Sequence, residues 1–182
     1  FVNGDKTPLF ANPQVLGEGT DWQREIYRTA PMQNYQLSIS GGNAKNQYYI
    51  SGGFNDQQGI MNNSGFKRYS FRINTDNQLS SIIKVGNSLT LSRTFHNTLP
   101  TDNFSNGISV IALVKTPTIK AKNEDGSWGG PKAEELTYVG NFRNPLRMTE
   151  MADNNLERIR GLGNLYAEVE ILKGLKFRSN LG

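Results

Sequence analysis

Hydrophobic and polar residues alternate along most of this chain with a period of two, which is the repeat of a β-strand whose two faces lie in different surroundings. Six segments carry the pattern, and they span Tyr35–Ser40, Gln47–Asn55, Lys67–Asn74, Ile83–Phe95, Leu165–Ile171 and Leu175–Leu181. Turn-forming residues separate the segments in several places. The alternation therefore predicts an all-β fold, an antiparallel up-and-down meander of about six strands.

The connections between these segments differ regularly in length. Short turns are predicted at 41–46, 75–82 and 173–174, whereas longer links cover 56–66 and the roughly 60 residues from His96 to Asn155. Because alternate links of a meander fall at opposite ends, all the short turns share one end. This asymmetry and the strand lengths are typical of a large transmembrane β-barrel of the bacterial outer membrane, with the longest link as an extracellular loop.

Two short helical segments interrupt the strand pattern. A capping sequence at 102–105, followed by apolar residues at helical spacing, predicts one short helix in the long loop before Pro117. Near the start of the chain, Thr20 or Asp21 could cap a helical turn that runs through Ile26.

Periodicity alone leaves two architectures open. In a barrel the apolar face meets lipid, and Tyr35, Phe54 and Phe95 near the strand ends could serve as interfacial anchors. In a soluble β-sandwich the same side chains form the core, and the chain would be a carbohydrate-binding or adhesin-like module. The polar face favours the barrel because it carries Arg, Gln, Ser, Thr and Asn rather than many Lys and Glu.

Composition excludes several other classes of protein. The 182 residues carry a net charge of +4, but the basic residues are dispersed, so nucleic acid is not an expected partner. With no cysteine, the chain has no disulfide or thiolate metal site. The longest apolar run is Val110–Val114, far shorter than the ~20 residues of a membrane-spanning helix.

The sequence offers no constellation for catalysis. His96 is the only histidine and lies at a predicted strand end, where a polar loop role is expected. Glu168 and Glu170 share one strand face, as a solvated pair would. We therefore predict that the chain is not an enzyme and holds no cofactor or metal.

The long loop is the place to expect ligand contacts. Trp128 lies among glycines, where its ring could stack on a sugar or pack against a partner, although it could equally pin the loop to the barrel wall. Phe142, Arg143 and Asn144 are further candidates for the same reasons.

Several motifs occur in an order found in one known family. The stretch from Asp21 to Gly42, which begins Asp-Trp-Gln-Arg-Glu-Ile-Tyr-Arg-Thr, resembles SusC/RagA-type TonB-dependent outer-membrane transporters. The segments Tyr49–Phe54, Phe66–Arg72 and Val85–Ser92 are similar to the strands that follow in that family, and Asp125–Trp128 is similar to part of its long loop.

The resemblance implies that residues 1–182 are a fragment of a TonB-dependent receptor barrel domain, without the plug domain and the remaining strands of a barrel of about 22 strands. It implies import of large nutrients such as oligosaccharides or peptides. It also implies three associations: a SusD-like lipoprotein as an extracellular lid, the TonB complex as the energy source, and outer-membrane lipid around the barrel.

Overall fold

A computed structural model describes residues 14, 17–101, 103, 107–131 and 143–182. The described chain divides into two compact units. The sheet unit contains residues 30–58, 65–97 and 155–182, and the loop unit contains the described residues of 1–29, 59–64 and 98–154. Each unit draws on three separate stretches of the chain.

The sheet unit is one antiparallel sheet in which every strand pairs with its neighbours in the sequence. Its strands are β1 (Met32–Gly42), β2 (Asn46–Gln58), β3 (Gly65–Gln78), β4 (Ile83–Asn97), β5 (Asn155–Leu172) and β6 (Leu175–Leu181). The order β1-β2-β3-β4-β5-β6 confirms the predicted up-and-down meander. Among the described residues, β1 and β6 pair along one side only, so this sheet is open.

The fifth strand begins ten residues before the point where alternation becomes visible in the sequence. The cause is the pair Gly161 and Gly163, which lie on the apolar face directly opposite Leu91 and Leu89 of β4. A Cβ added at Gly161 would lie 3.3 Å from Leu91 Cδ2, and one at Gly163 would lie 3.6 Å from Leu89 Cδ1. The two leucines therefore supply the apolar surface that β5 itself lacks.

The strand register divides the side chains into two faces. The apolar face carries Tyr35, Leu37, Ile39, Ile50, Phe54, Tyr69, Phe71, Ile73, Leu89, Leu91 and Ile159, among others. This face is open, since Leu37 is 73% exposed and Ile159 is 74% exposed. A β-sandwich would require a second sheet packed on it, whereas the described strands form a single sheet.

A row of aromatic rings crosses the apolar face near the long connections. Tyr35 stacks on Phe54 with 6.5 Å between ring centroids, Phe54 lies 5.0 Å from Tyr69, and Tyr69 meets Phe95 edge-on at 6.4 Å. The sequence predicted Tyr35, Phe54 and Phe95 as anchors, and the structure adds Tyr69 to the row.

Ion pairs flank this aromatic row on the side of the long connections. Lys67 Nζ lies 3.6 Å from Asp56 Oδ2, and Arg93 Nε lies 2.6 Å from Glu157 Oε1. Asp56 and Lys67 are two residues closer to these connections than Phe54 and Tyr69, and Glu157 lies directly opposite Phe95. The apolar face therefore becomes charged at its end near the long connections.

In its described residues the loop unit has three short α-helices, α1 (Trp22–Ile26), α2 (Ile108–Val114) and α3 (Pro145–Glu150). The α1 helix confirms the predicted turn, and Asp21 caps it by accepting a hydrogen bond from the Arg24 N–H (3.1 Å). The predicted helix before Pro117 is also present as α2. Its N-cap is Gly107 rather than a residue of 102–105, of which 102, 104 and 105 lie outside the described residues.

The loop unit has a closed apolar core, unlike the sheet. Its buried members are Trp22, Ile26, Met61, Ile108, Ala112 and Ile119. The Trp22 Nε1–H donates to the Thr116 carbonyl (3.0 Å), so the ring is buried with its polar atom satisfied. No helix within the described residues has the length and hydropathy needed to cross a membrane.

Candidate functional site

Trp128 follows a tight turn that is closed by backbone hydrogen bonds. The Asn123 N–H donates to the Ser127 carbonyl (2.8 Å), and the Gly126 N–H donates to the Asn123 carbonyl (3.0 Å). Gly126 has a φ of 81°, a left-handed conformation that favours glycine. Lys122 and Trp128 then form an antiparallel bridge across the base of the turn.

Asp125 reinforces the turn from inside. Its Oδ1 accepts hydrogen bonds from the Ser127 N–H (2.9 Å) and from the Ser127 hydroxyl (2.6 Å). Because both bonds favour the ionised carboxylate, they lower the pKa of Asp125 below its ordinary value. The turn is therefore best ordered when Asp125 is charged.

The indole ring of Trp128 is half-buried and held by a cation. Lys122 Nζ lies 4.7 Å from the ring centroid, within the range of a cation–π contact. The same ammonium lies 3.2 Å from each carboxylate oxygen of Glu150 in α3. These contacts fix Trp128 relative to α3, so the ring is held in place.

Asn144 connects α3 to the Trp128 segment. Its Oδ1 caps α3 by accepting a hydrogen bond from the Arg147 N–H (3.1 Å). Its Nδ2 donates to the carbonyls of Ala121 (2.8 Å) and Gly129 (2.9 Å), and the side chain is buried. Both amide hydrogens and the carbonyl oxygen of Asn144 are thus engaged within the protein, which makes it a positioning residue.

A cavity of about 670 Å³ lies in the loop unit beside these residues. It is lined by Pro100, Ile108, Trp128, Gly129, Gly130, Pro131, Arg143, Asn144, Arg147, Met148, Met151 and Ala152. Three of the four residues predicted from the sequence, Trp128, Arg143 and Asn144, therefore line one cavity. The fourth, Phe142, lies outside the described residues.

The cavity combines an apolar lining with positive charge. Ile108, Met148 and Met151 supply apolar surface, and Arg143 and Arg147 supply two exposed guanidinium groups. The lining residues in the described part of the chain include no Asp or Glu. The arrangement suits a ligand with a negatively charged group on a larger body, since arginine can bind carboxylate, sulfate or phosphate through two hydrogen bonds.

Sequence reasoning missed the contribution of α3 to this cavity. Arg147, Met148 and Met151 line it, and all three lie on α3 or at its end. A signal was present, because Asn144 followed by Pro145 is an N-cap followed by the residue favoured at the first helical position. The six-residue length of α3 left too little hydrophobic periodicity to support that signal.

The residues considered for catalysis do not converge. His96 meets Phe66 edge-on at 5.8 Å on the polar side of the sheet. Glu168 forms ion pairs with Lys176 (3.3 Å) and Arg178 (4.0 Å), and Glu170 accepts a hydrogen bond from the Gly174 N–H (3.1 Å). Within the described portion of the chain, no three acidic or histidine side chains are grouped as metal ligands.

Comparison with known proteins connects this fold to one family. The chain is 28% identical over 169 residues to TonB-dependent receptor P3 of Formosa agariphila, a match that covers 90% of this chain and 16% of that protein. TonB-dependent receptor P26 of the same species is 31% identical over 160 residues, which cover 87% of this chain and 15% of that protein. This chain is a homologue of the TonB-dependent receptors.

The SusC branch of these receptors is among the matches. TonB-dependent receptor SusC of Bacteroides thetaiotaomicron is 36% identical over 81 residues, covering 40% of this chain and 8% of SusC. The homologous chain thus spans about one sixth or less of the curated relatives that it matches. No protein-family model matches it.

A solved structure supports the same fold. The chain aligns with a structure of the RagAB peptide transporter with a TM-score of 0.67 and 22% identity, over 90% of this chain and 18% of that one. The resemblance of the sequence to SusC/RagA-type receptors is therefore confirmed, and so is the fold class, a meander of the kind found in a TonB-dependent barrel.

Proposed function

We propose that this chain is a segment of the barrel wall of an outer-membrane TonB-dependent transporter that imports large nutrients. The observation that carries the proposal is the exposed apolar face of the sheet, with its aromatic row and flanking ion pairs. A face of that kind suits contact with lipid, with the aromatic rings at the membrane interface and the charged residues beyond it. The homology to TonB-dependent receptors supports the same assignment.

The strand lengths agree with this role. A transmembrane strand tilted at about 45° needs about 9–11 residues, and β1 to β5 contain 11 to 18 residues. The open sides of β1 and β6 would pair with further strands of the same barrel, because an unpaired edge cannot be tolerated in lipid. The apolar face would then contact outer-membrane lipid, and the polar face would line the lumen.

The loop unit supplies the ligand contacts in this proposal. Its cavity, with Trp128 and Arg143, would bind part of an oligosaccharide or peptide substrate, or a segment of a SusD-like lipoprotein lid. Asn144 would hold the cavity wall in place. The names of the relatives describe receptors and transporters rather than enzymes, which supports a transport role without catalysis.

Uptake measurements on cells that contain the full-length protein test this function. Deleting its gene should abolish uptake of the labelled oligosaccharide or peptide that it imports, and restoring the gene should recover it. Dissipating the proton-motive force, which drives TonB, should stop uptake while leaving binding to the cells intact. Uptake that continues without the proton-motive force would contradict the proposal.

A further inference from the structure

The polar face of the sheet carries an uneven distribution of charge. Four arginines, Arg68, Arg72, Arg158 and Arg160, lie on this face between the middle of the sheet and its end at the long connections. We call them the arginine quartet. All four side chains are exposed.

The strand register places the quartet within three consecutive rows of the sheet. Arg68 and Arg158 share one row, with Thr94 of β4 between them. Arg160 lies in the next row and Arg72 in the one after it. With strands about 4.8 Å apart and about 6.8 Å between same-face neighbours, the four Cα atoms occupy a patch of roughly 10 by 14 Å.

Among the described strands, no acidic residue lies on the polar face in the three rows of the quartet. The other polar-face positions of the three rows are Asn34, Gln36, Ser38, Ser51, Gly53, Asn55, Ser70, Thr90, Ser92, Thr94 and Leu162. The ion pairs formed by Asp56 and Glu157 lie on the opposite, apolar face. Along β3, the next carboxylate on the polar face is Asp76, four residues beyond Arg72.

The residues between the arginines indicate the chemistry of a ligand. They are mostly hydroxyl and amide side chains, which can donate and accept hydrogen bonds, and Leu162 is the one large apolar side chain among the described positions of these rows. A peptide would find little apolar surface for its side chains there. A chain rich in hydroxyl groups and carrying anionic groups would satisfy both the arginines and the positions between them.

We infer that the arginine quartet binds an anionic oligosaccharide, one that carries carboxylate or sulfate groups along its length. The inference rests on the proposed transport function and specifies the class of its cargo. Guanidinium groups hold either anion through paired hydrogen bonds, and four of them in one patch match a ligand whose charge is repeated. The cavity of the loop unit, with Arg143 and Arg147, carries charge of the same sign.

Calorimetric titration of the full-length protein in detergent tests this inference. The probes are tetragalacturonate for carboxylate, a sulfated galactose tetrasaccharide for sulfate, maltotetraose as the neutral sugar, and tetraglutamate as the acidic peptide. We expect at least one anionic sugar to bind about tenfold more tightly than maltotetraose, with affinity that falls as salt is added. Comparing the two anionic sugars identifies which group is recognised.

Paired substitutions locate the binding on the quartet. The double variant Arg68→Gln/Arg158→Gln should lose about tenfold or more in affinity for the anionic sugar, and Arg68→Lys/Arg158→Lys should restore part of it by restoring the charge. Arg93→Gln is the control, since it removes one positive charge on the opposite face, at a position between the first two rows of the quartet. Thermal melting of each variant separates lost binding from lost folding.

Several results would overturn the inference. These are equal affinity for neutral and anionic sugars, tighter binding of tetraglutamate than of both anionic sugars, and unchanged affinity in the double glutamine variant. A lower melting temperature with unchanged sugar binding would mean that the quartet pairs with an acidic surface of the same protein. Uptake of a neutral substrate driven by the proton-motive force would uphold the transport function even if this inference failed.

Discussion

The two units of the molecule treat their apolar side chains in opposite ways. In the loop unit, Ile26, Ile108 and Ile111 are almost completely buried. In the sheet unit, Leu37, Ile39 and Phe177 are more than half exposed, although they alternate regularly with polar residues. The chain therefore contains one unit that buries its apolar side chains away from water and one whose exposed apolar face suits contact with lipid.

This difference shows that side-chain burial alone does not indicate which part of the chain forms regular structure. The sheet is held by backbone pairing along five strand interfaces rather than by a closed core. Its apolar face has no covering layer of protein among the described residues. Stability of the two units should accordingly respond to different kinds of substitution.

The largest expected effect is in the core of the loop unit. Ile108→Ala should lower the free energy of unfolding of this unit by about 2–5 kcal/mol, because Ile108 is fully buried in the apolar core and its truncation leaves a cavity. Leu113→Ala on the same helix is the control, since Leu113 is 67% exposed and should change the stability little. Urea unfolding followed by hydrogen exchange in the loop unit measures both, and equal losses would contradict the closed core.

The next effect concerns the sheet and depends on which face is changed. Leu37→Arg should destabilise the folded protein in a bilayer by about 2–4 kcal/mol if this position lies near the bilayer midplane. Ser38→Arg, one residue further along β1 and on the polar face, should cost within about 0.5 kcal/mol. Denaturant titrations in lipid vesicles compare the two variants, and a similar cost at both positions would argue against a lipid-facing side.

A smaller effect is expected at Asn144. Asn144→Ala removes the cap of α3 and leaves the carbonyls of Ala121 and Gly129 without their donor, which should cost about 1–3 kcal/mol. Asn123→Ala, which removes an exposed hydrogen bond to the Ser127 hydroxyl (2.9 Å), is the control and should cost less. Hydrogen exchange of the Arg147 amide reports the loss of the cap, and unchanged exchange would contradict its role.

The smallest effect depends on pH and belongs to the turn before Trp128. Since the pKa of Asp125 is lowered in the folded turn, its contribution is fully present above the ordinary pKa and is lost as the pH falls through the lowered value. The Ser127 amide proton should shift over this acidic range in the unmodified protein. In Asp125→Asn that titration should disappear, and a shift that persisted would assign it to another group.

Much of the sheet could be predicted from the sequence because apolar and polar residues alternate along strands whose two faces differ. The exception is the first part of β5, where Gly161 and Gly163 leave no side chain on the apolar face and Leu162 lies on the polar one. The pattern there depends on Leu89 and Leu91 of the neighbouring strand. The start of β5 therefore becomes evident only from its pairing with β4, which a single sequence does not contain.

The candidate site was predictable in part. Trp128, Arg143 and Asn144 were singled out as residues of the long loop, and they line one cavity together with α3. The sequence could not separate Asn144, whose hydrogen bonds lie within the protein, from the arginines exposed beside it. Such a distinction depends on tertiary contacts with Ala121 and Gly129. The ligand roles of these residues stay predictions.

The central claim is that the apolar face of the sheet contacts lipid. The most direct test is to determine which reagents reach each face of β3 in the membrane. The chain has no cysteine, so Phe71→Cys and Arg72→Cys each place one thiol in this segment, on opposite faces of the same strand. In outer membranes that contain the full-length protein, we predict that Phe71→Cys reacts with a lipid-soluble maleimide and is protected from a charged one. Arg72→Cys should react with the charged reagent, and the reverse pattern, or equal reaction at both positions, would contradict a barrel wall with its apolar face in lipid.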